Sequence, residues 1–291
     1  MGRLCFCFLI FLTQPVLANS DIRIVGSDLL GDELASEIQN YARQNEWVVS
    51  IGMEGSLKGW GEIQDSQADI GLLSFSPEET LPAAPFYAAP IAYHTVMILA
   101  TTAVSLNQIS LTQLAGIFCH EESSAWPRLS DVGVIGDAST RNVIPLVWVG
   151  SSNLLIELFR LKVMHSQKLR ADINRVSTEE ELSRIKLSEE AGIALSALTS
   201  LSGIDINTVA VSRELNDVAY LPTPLAVHRG DYPLSWPLYV VFRQSEVTKL
   251  YPILRFLLSE ESAMLLRRAR LVPIPDSARL DLLDGLERLE K

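Results

Sequence analysis

The sequence predicts an α/β protein of two lobes, each a mixed, mostly parallel sheet flanked by helices, with the chain crossing between them twice. Three observations lead there. Short, almost wholly apolar runs alternate with amphipathic stretches of helical spacing, the pattern of strands buried between helices. The alternation restarts after residue 101, and residues 236–243 then return to a long apolar run. With 291 residues, 48% hydrophobic and 20% charged, the chain has ordinary globular composition and the length for two cores.

The first residues read as an address. One basic residue, Arg3, precedes the unbroken apolar run Leu4–Leu12, and Val16-Leu17-Ala18 places small residues before Asn19. That is a secretory signal cleaved after Ala18, since a membrane span needs about 20 apolar residues. The product is expected in the periplasm, without membrane insertion. Cys5 and Cys7 fall in the removed segment, so Cys119 alone remains and no intramolecular disulfide can form.

The elements follow in order. "IRIVGSD" (22–28) is a β-branched strand, and "ELASEIQNYARQ" (33–44) a helix. "WVVSIGM" (47–53) is a strand, "SLKGWGEIQDS" (56–66) a helix, and "ADIGLLSFS" (68–76) an apolar strand. Pro77–Pro90 reads as loop and "IAYHTVMILAT" (91–101) as one long strand. The second round has a helix at 110–118, a strand at 142–150, and helices at 152–164 and 178–188. Short strands follow at 191–198 and 207–212. The return strand 236–243 leads to helices at 246–259 and 260–269, then "LVPIP" (271–275) and an amphipathic tail over 276–291. The expected division is a signal over 1–18, one lobe from 19–98 with 228–291, and a second from 99–227.

A net charge of −11 argues against nucleic acid as a partner, because phosphate neutralisation needs a basic surface. Chemistry must therefore come from a local site. Three strand-to-helix junctions carry small polar residues: Gly26-Ser27-Asp28, Gly55-Ser56 and Gly150-Ser151-Ser152-Asn153. A helix start offers unpaired N–H groups and the positive end of the dipole, which suits an anion. The same residues are also good helix caps in their own right. Other constellations are weaker. "VGSSN" around Ser151 is not a nucleophile elbow, and Cys119-His120-Glu121-Glu122 has no zinc-ligand spacing. An enzyme is not expected.

The order of motifs resembles the phosphate-binding proteins of bacterial ABC importers, which have the type II periplasmic solute-binding fold. "IRIVGSD" is similar to that family's first strand and turn, and "MEGSLKGWGEIQDSQADIGLLSFSPEE" to its Gly-Ser helix start and Ala-Asp-Ile-Gly strand. "ISLTQLAGIFCHEESSAWPRL", "VGSSNLLIELF", "EEAGIALSAL", "YPLSWPLYVVF" and "RRARLVPIP" resemble the family's later segments in the same order. The resemblance implies a monomeric binding protein with no cofactor, a small oxyanion, foremost phosphate, as ligand, and an ABC transporter permease as partner. Carried over by position, the ligand residues are Ser27, Asp28, Gly55, Ser56, Asp69, Ser74, Ser151, Ser152 and Asn153. Where the family has an arginine before its Ser-Gly-Thr motif, this chain has Val147 and Trp148, and Asp28 and Glu54 add acidic groups. Those departures leave an alternative: a degenerate binding-protein fold that serves as a ligand sensor or an envelope assembly module.

Overall fold

The computed structural model describes residues 21–27, 30–76, 79–101, 105–119, 128–148, 153–165, 168–176, 191–196 and 206–290. The expected signal segment and the helix expected at 178–188 lie outside them. The chain opens with β1 (Ile22–Gly26), α1 (Gly31–Gln44), β2 (Val49–Gly52), α2 (Ser56–Gln64) and β3 (Ile70–Leu73). It continues through β4 (Phe86–Thr95), β5 (Met97–Thr101), β6 (Gln108–Ser110) and α3 (Leu111–Phe118). Next come β7 (Val143–Trp148), α4 (Asn153–Val163), β8 (Asn174–Val176), β9 (Ala191–Ser196) and β10 (Ile206–Ser212). The last part holds α5 (Pro224–His228), β11 (Ser235–Arg243), α6 (Val247–Leu257), α7 (Glu260–Arg268), β12 (Val272–Pro273) and α8 (Asp276–Glu290).

The described strands form two six-stranded sheets, ordered β12-β4-β11-β3-β1-β2 and β6-β10-β5-β9-β7-β8. Of the ten ladders among the described residues, five are parallel and five antiparallel, a more even mixture than apolar runs alone suggest. The first sheet is buried on both faces. Ile24, Leu72, Val240 and Phe242 join the core with residues of α1, α6 and α8, while Val25, Leu73 and Val241 pack with Ile63 of α2. Two-sided burial is why these strands read as continuous apolar runs rather than alternating ones.

Two sequence expectations change. The run 91–101 is not one strand: β4 ends at Thr95 in the first sheet and β5 begins at Met97 in the second. Val96 makes the break because its N–H donates to Leu234 O (2.9 Å) and its carbonyl accepts from the Tyr232 hydroxyl (2.7 Å). Its backbone is thus committed to the returning segment instead of a ladder. The second change is that Phe86–Pro90, expected as loop, is strand paired along β11. Pro90 is tolerated beside the bulge where the register shifts between Leu238 and Tyr239, the kind of place a ladder accepts a residue without N–H.

The C-terminal segment is a structural helix. Leu286 of α8 is 1% exposed within the first core, and the Tyr251 hydroxyl of α6 donates to Glu287 Oε1 at 3.0 Å. Arg279, nearly buried, pairs with Asp276 and Glu260 and so fastens α8 to α7.

Candidate functional site

The carboxyl ends of β1 and β3 and the start of α2 meet at one end of the first sheet. β1 and β3 run parallel with Gly26 opposite Leu72, so their final residues arrive side by side. Ser27 N–H donates to Leu72 O at 2.9 Å, and Gly55 N–H donates to Gly26 O at 3.0 Å. The Ser56 hydroxyl accepts from Ser74 N–H at 3.0 Å. Three chain segments are thereby locked together at Ser27, Gly55-Ser56 and Ser74. In open α/β sheets such strand ends are where ligands gather.

Glycine is required at two places for this convergence. Gly55 sits at φ +113°, a conformation that L side chains rarely adopt. A Cβ on Gly26 would meet Leu72 O at 2.9 Å and Met53 Sδ at 2.6 Å, so a side chain there would separate the two strands.

Because Gly55 has no side chain, α2 begins without a side-chain cap. Its first N–H groups lack an intrahelical partner by geometry, and together with the dipole they make the helix start a seat for an anion. The Ser74 hydroxyl oxygen is buried and has no hydrogen-bond partner among the described residues. Glu54, adjacent to the turn, is tied to Lys58 one helical turn on, and that hydrogen bond holds its carboxyl below the usual range. The acidic group beside the helix start is thus matched by a cation.

Aromatic rings stand next to these polar groups, which the sequence alone did not assemble. Tyr239 lies opposite Leu73 across the β3–β11 ladder, and its ring is 5.8 Å from that of Phe75, the residue after Ser74. Trp60 of α2 meets Phe75 edge-on at 6.2 Å. Burial, with Tyr93 nearby, raises the Tyr239 hydroxyl above its ordinary value, so it remains a proton donor across the neutral range.

The remaining expected residues fall elsewhere or outside the description. Asp69 precedes β3 while Ser74 follows it, so the two are separated by roughly 16 Å of strand at about 3.3 Å per residue. At that far end Asp69 Oδ2 accepts from Arg23 N–H (2.8 Å), and Oδ1 accepts from Lys249 Nζ of α6 (2.7 Å). The structure gives it the geometry of an internal ion pair and does not bring it together with Ser27, Ser56 and Ser74. Asp28, Ser151 and Ser152 lie outside the described residues, and Asn153 is described only as the first residue of α4. Val147 is buried at 2% exposure within β7. Cys119 is buried at the end of α3, and His120, Glu121 and Glu122 lie outside the described residues.

Further cations and rings cluster where the chain passes between the sheets. Lys162 of α4 donates to Ser235 O at 3.1 Å, its ammonium 4.7 Å above the Trp236 ring. Burial, with Arg213 nearby, pulls its pKa down to about 8. His94, opposite Trp236, is buried with Nε2 unpartnered among the described residues, and burial lowers its pKa to about 4. No sequence spacing signals these neighbours, since Lys162 and Ser235 are 73 residues apart.

Comparison with known proteins adds the wider setting. No family model matches this chain, and no curated protein sequence matches it. Solved structures do. A possible phosphate-binding protein from Planctomyces limnophilus DSM 3776 is 16% identical with a TM-score of 0.74, over 94% of this chain and 99% of that one. PstS from Borrelia burgdorferi is 17% identical with a TM-score of 0.68, over 88% and 99%. An ABC-type phosphate transport receptor from Vibrio cholerae is 16% identical with a TM-score of 0.62, over 87% and 100%. These neighbours are binding proteins, and no described helix here is long and apolar enough to cross a membrane. At such identities the likeness is one of architecture: this chain has the two-sheet α/β fold of type II periplasmic binding proteins.

Proposed function

We propose that this chain is a periplasmic solute-binding protein that holds a small oxyanion, phosphate foremost, and delivers it to an ABC importer. The observation that carries the reading is the joining of Ser27, Gly55-Ser56 and Ser74 around an uncapped helix start. The N–H groups of the first turn of α2 and the Ser56 hydroxyl can donate to an oxyanion, the internal bonds of Ser27, Gly55 and Ser74 hold that turn in place, and the helix dipole favours the charge. The lobes in this reading are residues 19–98 with 228–291, and 99–227. Ser151, Ser152 and Asn153 would approach the anion from the second lobe, and closure about the crossovers would enclose it. The chain would act as an exported monomer, without cofactor and without chemistry on its ligand.

The test is calorimetric titration of the phosphate-free protein with phosphate, then sulfate and molybdate. Micromolar or tighter binding of one of them supports the reading; absence of heat with all three rejects it. The position of Asp69 favours a second reading. Its carboxylate is held by Arg23 and Lys249, away from Ser56, so the Ala-Asp-Ile-Gly segment supplies no acceptor for a protonated anion through that residue. A chain lacking that acceptor would serve as a sensor or an envelope interaction module with weak or no phosphate affinity.

A further inference from the structure

A cavity of about 350 Å³ opens beside the second crossover, lined by Arg213, Asp217, Val218, Tyr220, Gly230 and Asp231. None of these residues belongs to the turns around Ser56. Its frame is fixed by the backbone. Val211 and Tyr220 exchange both main-chain hydrogen bonds (2.8 and 3.0 Å), pinning the base of the loop that follows β10. Within that loop the Ser212 hydroxyl donates to Glu214 O at 2.7 Å, and Glu214 N–H donates to Asp217 Oδ2 at 3.2 Å. Across the cavity, Arg213 donates to Gly230 O at 2.9 Å, and Asp231 N–H donates to Ala226 O at 2.9 Å.

The charges on these walls are not satisfied by one another. Among the described residues, Arg213 makes no ion pair with Asp217 or Asp231; its guanidinium bonds a carbonyl, leaving further N–H groups to donate. Asp217 uses one oxygen within its turn, and the Asp231 carboxylate has no protein partner among the described residues. The residues that line the cavity thus carry one guanidinium and two carboxylates, with Val218 and Tyr220 as their less polar members. Its complement is a molecule with one carboxylate, two cationic groups and a short methylene stem.

We propose that this cavity binds a basic α-amino acid of the lysine, ornithine and arginine class. The α-carboxylate meets Arg213, the α-ammonium and distal cation meet the two aspartates, and the stem lies along Val218 and Tyr220. The volume falls within the range of small-molecule sites, and the acidic net charge of −11 favours approach of a cationic ligand. Nothing in the oxyanion reading requires this site, so the two stand or fall separately.

Calorimetry of the full protein with L-lysine, L-norleucine and 1,5-diaminopentane tests it. Norleucine keeps the stem and loses the distal cation; the diamine loses the carboxylate. Lysine is expected to bind at least about tenfold more tightly than either, because each analogue leaves one wall charge unpaired. Asp231→Asn and Arg213→Gln should each weaken lysine by about tenfold or more while leaving any phosphate isotherm unchanged. Amide resonances of Gly230 and Asp231 in the unaltered protein should shift with millimolar lysine, which keeps the test independent of how the variants fold. Equal binding of lysine and norleucine, or no shift of those two resonances, overturns the proposal.

Discussion

The Tyr232 hydroxyl donates to the carbonyl oxygen of Val96, 136 residues earlier, at 2.7 Å, and Val96 N–H donates to Leu234 O at 2.9 Å. Both backbone groups of the residue that leaves the first sheet are therefore satisfied by the segment that returns to it. Tyr232→Phe leaves a buried carbonyl without its partner and is expected to cost about 1–3 kcal/mol in urea unfolding. An unchanged midpoint would remove this tie from the account.

Ser56 joins the start of α2 to the end of β3 through its hydrogen bond from Ser74. Ser56→Ala should lower oxyanion affinity by about tenfold or more and stability by about 1 kcal/mol, while Ser56→Thr restores much of both. Calorimetry on the two variants decides. Wild-type affinity in the alanine variant would reject this end of the sheet as the anion seat.

Asp69 sits at the opposite end of β3, so its substitution should separate stability from binding. Asp69→Asn weakens the contact to Lys249 in a partly exposed pair and should cost about 1 kcal/mol. Oxyanion affinity should stay within twofold of wild type, by the roughly 16 Å separation from Ser74. A large loss of affinity with little loss of stability would return Asp69 to the ligand.

His94 makes stability depend on mild acid. Its folded pKa, about 4, lies below the ordinary 6.5 because burial disfavours the charged ring. Above pH 6.5 the ring is neutral in both states and contributes no slope. Between 6.5 and 4 the unfolded chain takes up the proton and the native protein does not, so stability falls with pH, by about 3 kcal/mol in all. The carboxyls of Glu54, Glu260 and Asp276, lowered by their hydrogen bonds, lose their contribution at lower pH, leaving 5.0–6.5 to His94 among the described residues. Unfolding midpoints of His94→Leu across that window should be nearly flat; a slope equal to wild type would assign it elsewhere.

Lys162 acts with the same sign at alkaline pH. Its pKa of about 8 lies below the ordinary 10.5, so the native amine gives up its proton first and stability rises with pH between those values. Urea midpoints at pH 7.5 and 9.5 should rise in wild type and lose that increment in Lys162→Met. A rise that persists in the variant would show that Lys162 is not its source.

The element pattern was legible because burial writes itself into side-chain type. Runs such as "ADIGLLSFS" are apolar on both faces since helices cover both sides of the first sheet, and Ser110 at the head of "SLTQLAGIF" forms a capping box with Gln113. The Gly-Ser turns were equally legible, since an uncapped helix start and a left-handed backbone each call for a small residue. Two features were not: the pairing of Phe86–Pro90 along β11 and the break within 91–101. Nothing local in 91–101 marks Val96 as the point of departure, because the groups that end the ladder there, Tyr232 and Leu234, come from the far end of the chain.

Sequence by itself determined most of the strand and helix segments of the first lobe and the small-residue turns at Gly26-Ser27 and Gly55-Ser56, because these depend on local spacing and backbone preference. Tertiary structure alone decided which of the expected polar residues share an end of the sheet. Parallel pairing of β1 and β3 brings Ser27 and Ser74 to one end and sends Asp69 to the other, beside Arg23 and Lys249. The same is true of His94, Lys162 and the mixed-charge cavity at Arg213. For His94 and Lys162 the neighbours are far apart in sequence, and only burial and the path of the crossovers bring them into contact; the cavity draws on the nearby positions 213–231, which the return of the chain folds against one another.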